Sequence, residues 1–111
     1  MTSTAKALVR SKYAEATQTT QYTAVNCKTI VDKFTVSNGT AGNVIININM
    51  VPPAGTARGS NLTIPNKTIA PNQCYSFPEL VGKLIEPNGF ISTIAGAATP
   101  LVIEVNGHEI T

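Results

Sequence analysis

Short runs of alternating apolar and polar residues, many of them β-branched, recur along this chain and are cut by Asn-Gly and Pro-Asn steps. That rhythm predicts strands joined by tight turns, because period 2 matches the alternation of side chains across a sheet and Asn-Gly supplies positive φ cheaply. Ile30, Asp32, Phe34 and Val36 alternate with Val31, Lys33, Thr35 and Ser37, which predicts a strand whose apolar face is interrupted by Asp32; Asn38-Gly39 then opens a turn that runs to Asn43. In Val44 to Val51, Val44, Ile46, Ile48 and Met50 share one face and Asn47 and Asn49 take the other. Neutral Asn on an outward face lets another chain cover it without desolvating charge.

Residues 52–60 hold two prolines and two glycines and predict an exposed loop. Asn61 to Ile64 and Lys67 to Ile69 read as strand pieces split by Pro65-Asn66, and Ala70-Pro-Asn72 turns into Gln73 to Phe77. Pro78 to Ile85 predicts at most one short helix, begun by Pro78 and weakened by Gly82. Glu86-Pro-Asn-Gly89 leads into the strand Phe90 to Ile94, and Leu101 to Val105 buries alternate residues before an expected stop at Asn106-Gly107. Upstream, Ala5 to Ala14 and Thr19 to Val25 look extended, with Gln18 to Thr23 rich in β-formers but poor in core candidates, and residues 1–20 are expected to form an extended N-terminal arm on a single domain over 21–111. About six to eight strands spaced about ten residues apart predict an all-β, antiparallel β-sandwich, immunoglobulin-like or jelly-roll-like. An antibody-type domain is disfavoured, because the chain has no Trp and Asn72 stands two residues before Cys74, where that fold carries a Tyr.

A length of 111 residues fits one core. Only 13% of residues are charged, against about a quarter in ordinary soluble domains, which suits burial against partners. The net charge of +2 is small and the eight basic residues are spread out, with only Lys6, Arg10 and Lys12 clustered, so no nucleic-acid partner is expected. No apolar run reaches signal-peptide or membrane-spanning character, and the expectation is synthesis in a cytoplasm with no membrane partner. Cys27 and Cys74 are expected as unpaired core thiols, with an inter-sheet bridge as the alternative, and the sequons at Asn38, Asn61 and Asn66 are read as turn chemistry.

Candidate chemistry is sparse. His108 lies near the C-terminus, and Glu15, Asp32, Glu79, Glu86, Glu104 and Glu109 are scattered singly. There is no Cys-x-x-Cys, phosphate loop or dinucleotide fingerprint. No catalytic residue, cofactor or metal is therefore expected, and the chain is read as a non-enzyme. The aromatic residues lack the basic interleaving of a single-strand-binding sheet and are expected in the core or at interfaces.

Gln21-Tyr-Thr-Ala24, Lys28-Thr-Ile-Val31, Phe34-Thr-Val-Ser-Asn38, Val51-Pro-Pro-Ala-Gly-Thr-Ala57, Ile69-Ala-Pro71, Pro78-Glu-Leu-Val-Gly82 and Asn106-Gly-His-Glu-Ile110 together resemble a family of small virion-associated β-sandwich proteins of tailed bacteriophages and prophages. The likeness runs from about Gln21 to the end and rests on turn and strand punctuation. It departs from the family pattern at Asn88-Gly89, where Gly-Asp is usual. The resemblance implies a virion component made in the bacterial host cytoplasm: a capsid decoration or cement protein, a homo-oligomer, trimeric by analogy, bound to the major capsid protein or other virion proteins. A tail or fibre-adaptor subunit is the alternative, and a non-catalytic adhesion or carbohydrate-binding module is the alternative of another class. The residues expected at the partner interface are Lys6, Leu8, Arg10, Lys12, Tyr13, Tyr22, Asn47, Asn49, Pro53 and Arg58.

Overall fold

The computed structural model describes residues 2–97 and 100–111. Its strands are β1 (Ser3–Tyr13), β2 (Thr19–Thr23), β3 (Lys28–Asn38), β4 (Val44–Val51), β5 (Leu62–Ile69), β6 (Cys74–Ser76), β7 (Leu84–Ile85), β8 (Phe90–Ala95) and β9 (Leu101–Ile110). They form two antiparallel sheets packed as a β-sandwich. One sheet runs β1-β9-β3-β6, with β7 also paired to β3, and the other runs β2-β8-β4-β5. The core between them is built from Phe34, Phe77, Ile46, Ile48, Ile69, Leu80, Ile91, Leu101 and Ile103, all fully buried. Burying each such side chain contributes roughly 1.5–3 kcal/mol. Phe77 meets Phe34 edge-on at 5.7 Å and Tyr75 at 4.8 Å, and Lys67 Nζ lies 4.2 Å from the Tyr75 ring centre.

The expected N-terminal arm is instead, over Ser3–Tyr13, a strand of the chain's own sandwich. Ser3 pairs with Ile110 and Tyr13 with Val102, and Leu8 and Val9 are buried. Residues Thr19–Thr23, also extended in expectation, form β2 and pair with β8. Two apolar side chains placed consecutively, Leu8 and Val9, can both face the core only if the strand bulges, and the register with β9 does shift between Ala7 and Val9. Met1, the first residue of the expected arm, lies outside the described residues.

A second bulge resets β3. Val31 pairs with Gly107 and Lys33 with Asn106, so Val31 and Phe34, three residues apart, both point inward. Ile30 is thereby only half-buried and Asp32 is exposed, in place of the expected inward face that ran through Ile30 and Asp32 to Phe34 and Val36. Asp32 Oδ2 instead meets His108 Nδ1 at 3.0 Å on the outer side.

Asn106-Gly107 is not a turn but the interior of β9, flanked by the bulges of β1 and β3. A Cβ on Gly107 would fall onto the Ile30 carbonyl oxygen and within 2.8 Å of Leu8 Cδ1. The glycine is there for close backbone approach, not for chain reversal.

The other turns follow the sequence. Asn88 has φ +72°, its N–H donates to the Ala24 carbonyl, and Gly89 N–H donates to Glu86. Asn38 is buried and uses its whole amide: Nδ2 donates to Gly42 O (2.8 Å) and Ile69 O (2.9 Å), and Oδ1 accepts from Thr40 N and Oγ1. Pro65-Asn66 falls within β5 at a register break, Asn66 having φ +45°.

The short helix expected within 78–85 is a single 3₁₀ turn, Pro78–Leu80. Gly82 N–H is captured by Val31 O and Lys83 O by Val31 N–H, which draws the chain onto β3 as β7 before another turn can form. A further 3₁₀ turn, Gly59–Asn61, ends the loop that begins at Pro52. Neither thiol is bridged: Cys27 is a core thiol as expected, whereas Cys74 is exposed on the edge strand β6.

Candidate partner-binding edge

Among the described residues, the order of the first sheet leaves β1 with one side unpaired. Thr2 and Thr111 exchange both backbone hydrogen bonds (3.0 and 2.9 Å), so they are a hydrogen-bonded pair of the antiparallel ladder. Such pairs alternate with non-hydrogen-bonded ones, so Thr4 and Lys6 bond inward to β9. It follows that Ser3, Ala5 and Ala7, opposite Ile110, His108 and Asn106, aim their N–H and C=O groups at the free edge. Residues Ser3–Ala7 are exposed throughout, and the ladder stays regular until the bulge at Leu8.

The other edges offer less. β6 has three residues, β2 has five with a register shift between Thr20 and Tyr22, and β5 is broken at Pro65-Asn66. Among the described residues, the first half of β1 is thus the longest regular backbone ladder open to a partner.

The residues expected at an interface divide between surface and interior. Lys6, Arg10, Lys12 and Tyr13 lie along β1 and are exposed, Tyr13 at 56%. Lys6 Nζ reaches Glu109 Oε2 at 3.3 Å and Lys12 Nζ reaches Glu15 Oε2 at 2.9 Å. Those contacts hold both carboxyls below the usual range: Glu109 first through the Tyr22 hydroxyl and then Lys6, Glu15 first through Lys12 and then Gln21.

Leu8 and Tyr22 are core residues instead. Leu8 is drawn in by the β1 bulge, and Tyr22 is 8% exposed because it crosses between the sheets. The Tyr22 hydroxyl lies 2.7 Å from Thr29 Oγ1 and donates to Glu109, and burial together with that carboxylate raises its pKa.

Asn49 is also internal. Its Nδ2 donates to Arg58 O (3.0 Å) and Asn61 Oδ1 (2.8 Å), which folds the 52–60 loop back over the outer face of β4. Asn47 is half-buried and accepts from Asn66 N–H at 2.7 Å. Arg58 is exposed, with Nη2 3.0 Å from Thr56 Oγ1. Pro53 lines a cavity of about 250 Å³ with Met50, Pro52, Leu84 and Phe90, none of them on β1.

The structure therefore brings Lys6, Arg10, Lys12 and Tyr13 together on one strand and sets Asn47, Asn49 and Arg58 on the other sheet and its loop. Sequence reasoning missed Ser3, Ala5 and Ala7, whose backbones make the open ladder. The signal was present as small residues alternating with Thr4 and Lys6. Glu109, which joins Lys6 to Tyr22, was also missed, because 103 residues separate it from Lys6. Among the described residues, no three His, Cys, Asp or Glu side chains come together in an arrangement able to hold a metal ion. No family model, curated protein or solved structure matches this chain.

Proposed function

We propose that this chain is a non-catalytic structural subunit of a tailed-bacteriophage virion, a decoration or cement protein that binds the assembled head. The observation that carries the reading is the open ladder of β1, since a free strand edge forms contacts through backbone hydrogen bonds and needs no reactive side chain. The turn and strand punctuation from Gln21 to Ile110, which resembles that of small virion proteins, supplies the class of assembly. The strands β4 and β8 contain no charged residue, so their outer face around Ile45, Asn47 and Ile94 adds a surface that desolvates at low cost. Many copies on a lattice bind tightly even when each contact is weak.

Cryo-electron microscopy of particles purified from cells producing this chain tests the proposal. Density fitting the sandwich and repeating over the head lattice is the expected result. Density confined to a ring or fibre at one vertex moves the subunit to the tail, and particles without it overturn the virion reading.

A further inference from the structure

The free edge of β1 has a self-complementary register. Ser3, Ala5 and Ala7 aim their backbone groups outward, so antiparallel pairing with a second copy about a two-fold axis through Ala5 sets Ala5 against Ala5 and Ser3 against Ala7, with two hydrogen bonds per pair. On the other face of the strand, Lys6 then stands opposite Thr4 of the second copy, not opposite its own mate.

Charge permits this register and does not ask for an acidic guest. Lys6 is compensated by Glu109 within its own chain, and Arg10 and Lys12 lie beyond the bulge at Leu8, outside the paired stretch. The outward-bonding residues are all small, and Ser3–Ala7 is exposed on both faces, which leaves the edge open to an approaching strand among the described residues.

We propose that Ser3–Ala7 of β1 pairs antiparallel with the same segment of a second copy, making one continuous sheet across a two-fold dimer. This deepens the reading of β1 as an assembly edge and rests on it: the edge joins subunit to subunit, and the uncharged outer face of β4 and β8 is left to meet the head. The symmetry is two-fold, unlike the three-fold association that analogy with decoration proteins suggests. So short a contact buries less than the roughly 1,200 Å² at which stable interfaces begin, and dimerisation on the order of 100 μM is expected.

Sedimentation of the full chain between about 10 μM and 1 mM tests the dimer, those limits bracketing the affinity expected of so small an interface. Reversible dimerisation is expected, and a monomer throughout overturns the proposal. Ala5→Pro removes an outward N–H without touching the β1–β9 bonds and should abolish dimerisation while leaving the far-ultraviolet spectrum unchanged. If that variant does not fold, Ala5→Lys, which sets like charges face to face at the axis, takes its place. An unchanged dimer in the folded variant overturns the proposal.

In a Cys74→Ser background, Ala5→Cys should form a disulfide dimer under mild oxidation at least about tenfold faster than Lys6→Cys, because only the former meets its mate across the axis within bonding reach. Equal rates, or no dimer from Ala5→Cys, refute the register. Particle occupancy is measured separately, so a monomer that still decorates heads sinks the dimer alone, and a dimer absent from particles sinks the virion reading.

Discussion

Gly107 is the residue on which the first sheet turns. The strands on either side of it bulge in the same stretch, bringing the Ile30 carbonyl and Leu8 Cδ1 against the space a side chain would occupy. Gly107→Ala is therefore expected to cost about 3 kcal/mol or more, because backbone must move where ordinary overpacking moves only side chains. Urea unfolding checks this, and a loss below 1 kcal/mol, within the range of many ordinary surface changes, would contradict it. Glu109 governs a second residue-scale property. Its carboxyl is held low by the Tyr22 hydroxyl and Lys6, so its contribution to stability is present above the ordinary carboxylate range and is lost as pH falls through the depressed value. Tyr22, raised by burial and by Glu109, contributes below its ordinary value and loses that contribution as pH climbs through the raised one. Between neutral pH and about pH 3, Glu109→Gln should give a flatter decline of the urea midpoint than the parent chain, with a residual slope from Glu15, whose carboxyl is also depressed. Parallel declines would show that the Tyr22–Glu109 contact carries no such linkage.

At the scale of elements, the decisive segment is β1. Its Leu8 and Val9 belong to the core, and its ladder to β9 closes the first sheet. Removing residues 2–13 should therefore abolish folding: near-ultraviolet dichroism would be lost and proton shifts would collapse to unfolded values. A folded truncate would restore the detachable arm expected from the sequence. The strands β3, β4, β8 and β9, the turns at 38–43 and 86–89, and the sandwich itself were legible, because period-2 alternation and Asn φ chemistry are local signals. The bulges were not. A shift of one residue leaves no local mark, so the alternation that places Phe34 and Val36 inward also predicts Ile30 and Asp32 inward, where the bulge puts Thr29 and Val31. For the same reason Asn106-Gly107 resembled a turn and β1 resembled an arm: each depends on a partner strand from the far end of the chain. At the candidate edge, the exposed cations were readable, but the outward direction of Ser3, Ala5 and Ala7 follows only from the register set by β9.

For the molecule as a whole, the consequence of that pairing is that the two ends of the chain meet. Thr2 and Thr111 are hydrogen-bonded to each other, and the sheet runs from β1 directly into β9. Sequence distance is then an accident of where the chain is cut, while the β1–β9 contact is a structural necessity. Joining the ends with a short Gly-rich linker and opening the chain between Ala54 and Gly55 converts the most distant strand pair into a hairpin. The new ends fall in a surface loop where the broken bond is the turn contact from Gly55 N–H to Pro52 O. Such a permutant should fold to the same spectra and lie within about 1–2 kcal/mol of the parent, since the hydrophobic core and both sheets are kept. It should also refold faster, because the costliest loop closure, that between β1 and β9, is removed while the chain still has to build its remaining crossovers. Stopped-flow refolding in urea measures both quantities. A permutant that fails to fold, beside a truncate lacking residues 2–13 that folds, would show that the second sheet and not the β1–β9 closure organises the sandwich.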